Sequence, residues 1–298
     1  MSNQPRYMGG QAIVEGVMMR GATTWAVAVR TPEGGIEVEV HDVPGWAERY
    51  NKIPLVRGVA NLGESLSLGM RALSWSANKQ IPEEERLSSK AMGVTMAVSM
   101  TIFLGLFILV PALGARGLGS VLGITGFWFH ALEGVLVLGL FLGYLFAIGR
   151  MEDIKRVFQY HGAEHKAIAA YENAVPLTPE SAQRFTTAHV RCGTNFLLTV
   201  LTIAIISYSF IGRPTLPYLV LSRVILIPII AGAAYELIRF AAKRMDQRWI
   251  QIAMIPGLSL QKLTTREPGL DQIEVAIAAL RAVFTAEQSI EVDARVAA

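Results

Sequence analysis

The sequence predicts a mainly α-helical membrane protein. It expects about four transmembrane helices, a small N-terminal cytoplasmic β unit and cytoplasmic amphipathic helices. Three observations lead there. Of 298 residues, 52% are hydrophobic and only 17% charged, with mean hydropathy +0.40, whereas soluble domains average about a quarter charged. Four apolar stretches reach the roughly 20 residues that a bilayer demands. Finally, Lys and Arg collect in alternate loops, as the positive-inside rule expects.

Residues 1–57 read as the β unit. Residues 11–18 mix apolar and small side chains, 25–29 alternate, Pro32-Glu33-Gly34-Gly35 makes a turn, and 36–40 alternate again. Residues 58–90 hold an amphipathic helix and a linker. Val59, Leu62, Leu66, Met70 and Leu73 recur at helical spacing, which suits a helix on the membrane surface or under the spans. Pro82 and Glu83-Glu84-Glu85 form a solvated break. A first transmembrane hairpin covers 91–149, with spans at 91–113 and 127–149. A cytoplasmic loop and helix follow over 150–192. A second hairpin covers 193–241, with spans at 193–212 and 216–241.

The cytoplasmic tail, 242–298, carries a turn at Pro256-Gly257. Pro268-Gly269 then precedes an amphipathic helix with Asp271 as its N-cap. Ile273, Ala276, Ile277 and Leu280 make its apolar stripe. The last dozen residues read as loosely ordered.

Orientation follows from the bases. Arg71, Lys79, Arg86 and Lys90 precede the first span, and Arg150, Lys155, Arg156, Lys166, Arg184 and Arg191 fill the central loop. Lys243, Arg244 and Arg248 begin the tail, while the other two loops offer only Arg116 and Arg213. Both termini and the central loop are therefore expected in the cytoplasm. The N-terminus has no apolar signal-peptide core. A single cysteine, Cys192, excludes an internal disulfide, and a net charge of +3 does not point to nucleic acid. Within the spans, Glu133 and Arg223 both fall about two turns from the outer face and are expected to pair.

The central loop carries His161-Gly162-Ala163-Glu164-His165, an H-x-x-E-H pattern. In enzymes with this pattern two His bind a metal and the Glu works its water. On a helix the two His share a face about 6 Å apart along the axis. Two His do not complete a zinc site: catalytic sites use three protein ligands plus water, and structural ones use four. Glu172 lies about 10 Å further along the helix, too far for the same metal. Three candidates remain: His189 and Cys192, an H-x-x-C pair before the third span, and Glu236 at the cytoplasmic end of the fourth. The ligand types suggest a divalent metal, zinc above all.

Several motifs run through the whole chain. They are residues 9–20 (GGQAIVEGVMMR), 55–58 (LVRG), 160–166 (YHGAEHK), 191–194 (RCGT), Tyr235-Glu236 and 263–268 (LTTREP). Together they resemble the YqhQ-like family of uncharacterised bacterial membrane proteins, labelled metal-dependent enzymes. The resemblance implies a bacterial inner-membrane location, and it brings Glu15, Arg20 and Arg57 forward as substrate-site candidates. This chain has His189-Val190 ahead of Arg191-Cys192, where the family tends to have Pro before the Arg.

The leading expectation is metal-assisted hydrolysis at the cytoplasmic face of the membrane. Glu164 is the catalytic base, and Arg20 or Arg57 binds an anionic group of a cytoplasmic or membrane-embedded substrate. The rival expectations are a membrane scaffold or assembly factor with a closed structural metal site, and a small transporter working as a homo-oligomer. The lipid bilayer is the expected partner in each.

Overall fold

The computed structural model describes residues 8–86, 88–190, 192–210 and 215–296. Arg191 and Arg213, counted above among the loop bases, lie outside the described residues, as do the last residues of the expected third span. Four strands open the chain: β1 (Gly9–Ile13), β2 (Gly16–Arg20), β3 (Thr24–Arg30) and β4 (Ile36–Asp42). The described helices are α1 (Val56–Lys79), α2 (Ser89–Val121), α3 (Phe127–Ile148), α4 (Glu152–Glu172), α5 (Pro179–Gln183), α6 (Gly193–Ser209), α7 (Leu216–Ala242), α8 (Arg248–Thr264) and α9 (Leu270–Val296).

The strands form an antiparallel meander in sequence order. The expected strand over 11–18 is instead two strands. Ile13 pairs with Gly16, so Val14 and Glu15 make a two-residue turn, with Glu15 at φ 51. That turn needs a left-handed conformation, which a run of apolar and small residues does not announce. The central strands are buried on both faces. Val17, Met19, Ala26 and Ala28 pack against α4 and α9, while Met18, Trp25, Val27 and Val29 pack with Leu68 and Ala72 of α1. Successive side chains point to opposite faces, so this small sheet is the middle layer between two sets of helices.

Helix α1 buries a different face from the one its apolar spacing suggests. Ala60, Glu64, Leu68, Ala72 and Ser76 are buried, while Val59, Leu66, Met70 and Leu73 are exposed. Leu68, small residues and one buried carboxylate face inward, while Val59, Leu66, Met70 and Leu73 are left on the outside.

Among the described residues, three helical segments are long and apolar enough to cross a membrane: Lys90–Val121, Phe127–Ile148 and Leu221–Ala242. Helix α6 is apolar but has 17 residues, about 25 Å against a hydrocarbon core of about 30 Å. Glu133 and Arg223 meet inside this helical group as expected, 2.5 Å apart and buried.

The tail differs from expectation in three places. Pro256-Gly257 is not a turn, because α8 runs through it. A proline inside a helix removes one hydrogen bond without always ending it. Asp271 sits in the first turn of α9 rather than at its cap. The Gln272 side chain instead accepts from the Gly269 N–H at 2.9 Å. Lastly, α9 continues to Val296, where the sequence suggested loose order. Its stripe of Ile273, Ala276, Ile277 and Leu280 is buried as expected.

Candidate metal centre

Helix α4 carries His161 and His165 one turn apart, their ring centroids 4.5 Å from each other. Both rings are anchored at Nδ1. His161 Nδ1 is 2.8 Å from the Thr264 carbonyl oxygen, and His165 Nδ1 is 2.5 Å from that of Thr187. A carbonyl only accepts, so each Nδ1 carries the proton and each Nε2 keeps its lone pair. Cys192 Sγ lies 3.3 Å from His161 Nε2. One ligand atom from each of His161, His165 and Cys192 falls within 4.8 Å of the others. Two imidazoles oriented from behind by carbonyls, together with a sulfur, make a donor set that suits zinc.

Two glycines allow this approach. A Cβ on Gly162 would run into the carbonyl oxygen of Arg266, so glycine lets α4 lie against the segment that offers the Thr264 carbonyl. A Cβ on Gly10 would come 2.6 Å from Glu164 Cγ and Oε1. Strand β1 therefore lies directly on the Glu164 carboxylate.

Glu164 is buried, and its Oε2 is 3.5 Å from His165 Nε2. With His161, His165, His189 and Cys192 it lines a cavity of about 120 Å³. Burial holds the His165 imidazole below its ordinary pKa, and burial does the same to His189. Both rings are thereby kept uncharged, the form that binds a metal.

His189 is not among the three converging donors. Its Nε2 is 3.4 Å from Glu172 Oε2, and its ring centre is 5.5 Å from that of His165. The Gln261 side chain clamps its backbone, accepting from the His189 N–H and donating to its carbonyl, each at 2.8 Å. Asn195 Nδ2 donates to the Val190 carbonyl, also at 2.8 Å. These bonds fix the loop that delivers Cys192, which is also the N-cap residue of α6.

The remaining candidates are engaged elsewhere. Arg57 grips Glu236 with two guanidinium nitrogens, so that carboxylate ties α1 to α7. Arg20 pairs with Glu64 and donates to Ser65 Oγ at 3.1 Å. Glu15 is held by Arg156 and lies 3.3 Å from the Tyr160 hydroxyl. Sequence reasoning missed the Thr187 and Thr264 carbonyls, Gly10, Gln261 and the Glu172–His189 contact. Thr264 did stand in the LTTREP motif, although a backbone acceptor leaves no mark of residue type.

The family described as a protein of unknown function (DUF1385) matches residues 53–286. The chain belongs to this family. It is also 34% identical over 294 residues to the Uncharacterized protein YqhQ of Bacillus subtilis (strain 168), covering 92% of this chain and 91% of that protein. No solved structure matches the chain. The DUF1385 match spans His161, Glu164, His165 and Cys192 but not the strands that supply Gly10.

Proposed function

We propose that this DUF1385 member is a membrane protein with a mononuclear zinc-type site at its cytoplasmic face, and that the site catalyses hydrolysis. One observation carries the reading: both imidazoles turn Nδ1 to backbone carbonyls, His161 Nε2 lies beside the Cys192 sulfur, and the three residues bring donor atoms within 4.8 Å of one another. Three protein ligands are the number that catalytic zinc sites use, with one position open. An ion held by His161, His165 and Cys192 would supply Lewis acidity and would make water a better nucleophile at neutral pH.

The protein residues do the rest. Glu164, shielded from solvent under β1, takes the proton from the attacking water. Glu164 then hands that proton to the leaving group, while His189, steadied by Glu172, lines the same cavity. Gly9 borders both this cavity and a broader surface hollow lined by Arg20, Asn61, Ser65 and Tyr235. Substrate approaches from that hollow.

The membrane reading rests on the three long apolar segments and on outward apolar side chains such as Val94, Val98 and Ile102. Helix α6 is the fourth span, shorter than the rest. The exposed Val59, Leu66, Met70 and Leu73 of α1 suit a helix that rests on the bilayer surface. The Lys and Arg distribution supports a cytoplasmic position for the proposed site.

Glu164→Gln tests the catalytic assignment. The metal-loaded variant and wild type are assayed on chromogenic carboxylic esters, phosphate esters and peptide amides. Any activity of the wild type should fall about 10²–10⁴-fold in the variant while bound metal stays. Equal rates in both would remove Glu164 from the chemistry. Full metal with no hydrolysis by either protein favours the scaffold reading.

A further inference from the structure

Helices α2, α3, α6 and α7 enclose a second cavity of about 230 Å³, which shares no lining residue with the metal site. Phe107, Phe141, Leu201 and Ile205 give it apolar walls, and one end is polar, formed by His130, Glu133, Tyr208 and Arg223. Glu133 and Arg223 answer each other there, and the guanidinium carbon of Arg223 sits 3.3 Å from the centre of the Tyr208 ring.

His130 is different. It is 4% exposed, and among the described residues neither of its ring nitrogens has a hydrogen-bond partner. Its Nδ1 comes only to 3.5 Å from Glu133 Oε2. Leaving a buried donor and acceptor unbonded is costly, and native structures keep few such groups. The cost is met when a bound molecule supplies the partner.

We propose that this cavity binds a neutral amphiphile, with a hydroxyl or carbonyl head on His130 and an apolar chain along the aromatic wall. The charges at the polar end already balance, so a carboxylate or ammonium head would be buried without a counter-charge. The walls offer nothing to a polar chain. An engineered apolar cavity of about 150 Å³ accepts benzene, so this one accommodates a head group and the first part of its chain. The site is independent of the proposed hydrolysis, and the two readings fail separately.

The test uses delipidated full-length protein in detergent and a hexadecanol probe with a diazirine beside its hydroxyl. Crosslinks should map to the cavity residues of α3, α6 and α7. Unlabelled hexadecanol should compete at least about tenfold better than hexadecanoic acid or hexadecyltrimethylammonium, roughly the worth of one buried hydrogen bond. His130→Leu, close in volume, should cut labelling about tenfold. Ala204→Phe, which fills the cavity and leaves His130 in place, should cut it by a second route. Labelling unchanged in both variants, crosslinks spread over the lipid-facing sides of α2 and α3, or acid competing as well as alcohol would overturn the proposal.

Discussion

His161 Nε2 and Cys192 Sγ stand 3.3 Å apart, although 31 residues separate them in the chain. The contact joins the middle of α4 to the N-cap of α6. It turns the H-x-x-E-H pair into a cluster of three donor atoms, from His161, His165 and Cys192, within 4.8 Å of one another.

The donor set predicts which variants lose metal. His161→Ala, His165→Ala and Cys192→Ala should each lower zinc content of the purified protein strongly. Glu172→Ala should retain zinc, because its carboxylate meets His189 rather than the cluster. Glu236→Gln should retain zinc too, and should lower the melting temperature by opening the Arg57 fork. Metal analysis by mass spectrometry reads all five. Zinc lost from Glu236→Gln but not from Cys192→Ala would reverse the assignment.

Gly10→Ala should separate metal binding from activity. Its Cβ would come 2.6 Å from Glu164 Cγ and Oε1 and push the carboxylate from its place. Metal content should stay near wild type while hydrolysis falls by at least about tenfold, as for a displaced general base. Unchanged activity in Gly10→Ala would show that the position of Glu164 under β1 does not matter.

Much of this arrangement is legible in the sequence. H-x-x-E-H marks the helix and the face that carries both imidazoles, H-x-x-C marks the segment that brings Cys192 to them, and the pairing of Glu133 with Arg223 follows from their depth in the apolar stretches. Other features leave no residue-type signal. The Thr187 and Thr264 carbonyls orient the imidazoles, and any residue would provide a carbonyl. Glu236 fits a metal-ligand pattern by position, and only tertiary packing shows that Arg57 claims it. The apolar spacing of α1 points outward because Gly69 and Ala72 let that helix come close to the sheet. Pro256 looks like a helix stop because local propensity does not count the packing of Gly257 against Asn195.

Acid should weaken the fold and release the metal. Burial keeps the folded-state pKa values of His165 and His189 below the ordinary value near 6.5. Between those lowered values and about pH 6.5 the unfolded chain binds protons that the native protein does not. Stability is therefore flat above about pH 6.5 from these groups and falls as pH drops below it. Protons also compete with metal at the ligands, which acts in the same direction. Melting curves from pH 8 to 5 check this, and His189→Gln should show a shallower acid slope. A melting temperature that rises on acidification would contradict the assignment of both rings.

Topology follows from the bases. A reporter fused after Arg184 or at the C-terminus should report the cytoplasm, and one inserted near Gly119 should report the outside. A reporter after Arg184 that reads outside would overturn the cytoplasmic position of the proposed site.

The most direct measurement is the zinc content of purified full-length protein together with its zinc-edge X-ray absorption spectrum. The expected result is one zinc per chain, with one sulfur at about 2.3 Å and nitrogen or oxygen neighbours at about 2.0–2.1 Å. The spectrum should change when a small anion such as azide takes the open position. A protein without zinc, a shell without sulfur, or a four-ligand shell that ignores azide would contradict an open site built from His161, His165 and Cys192.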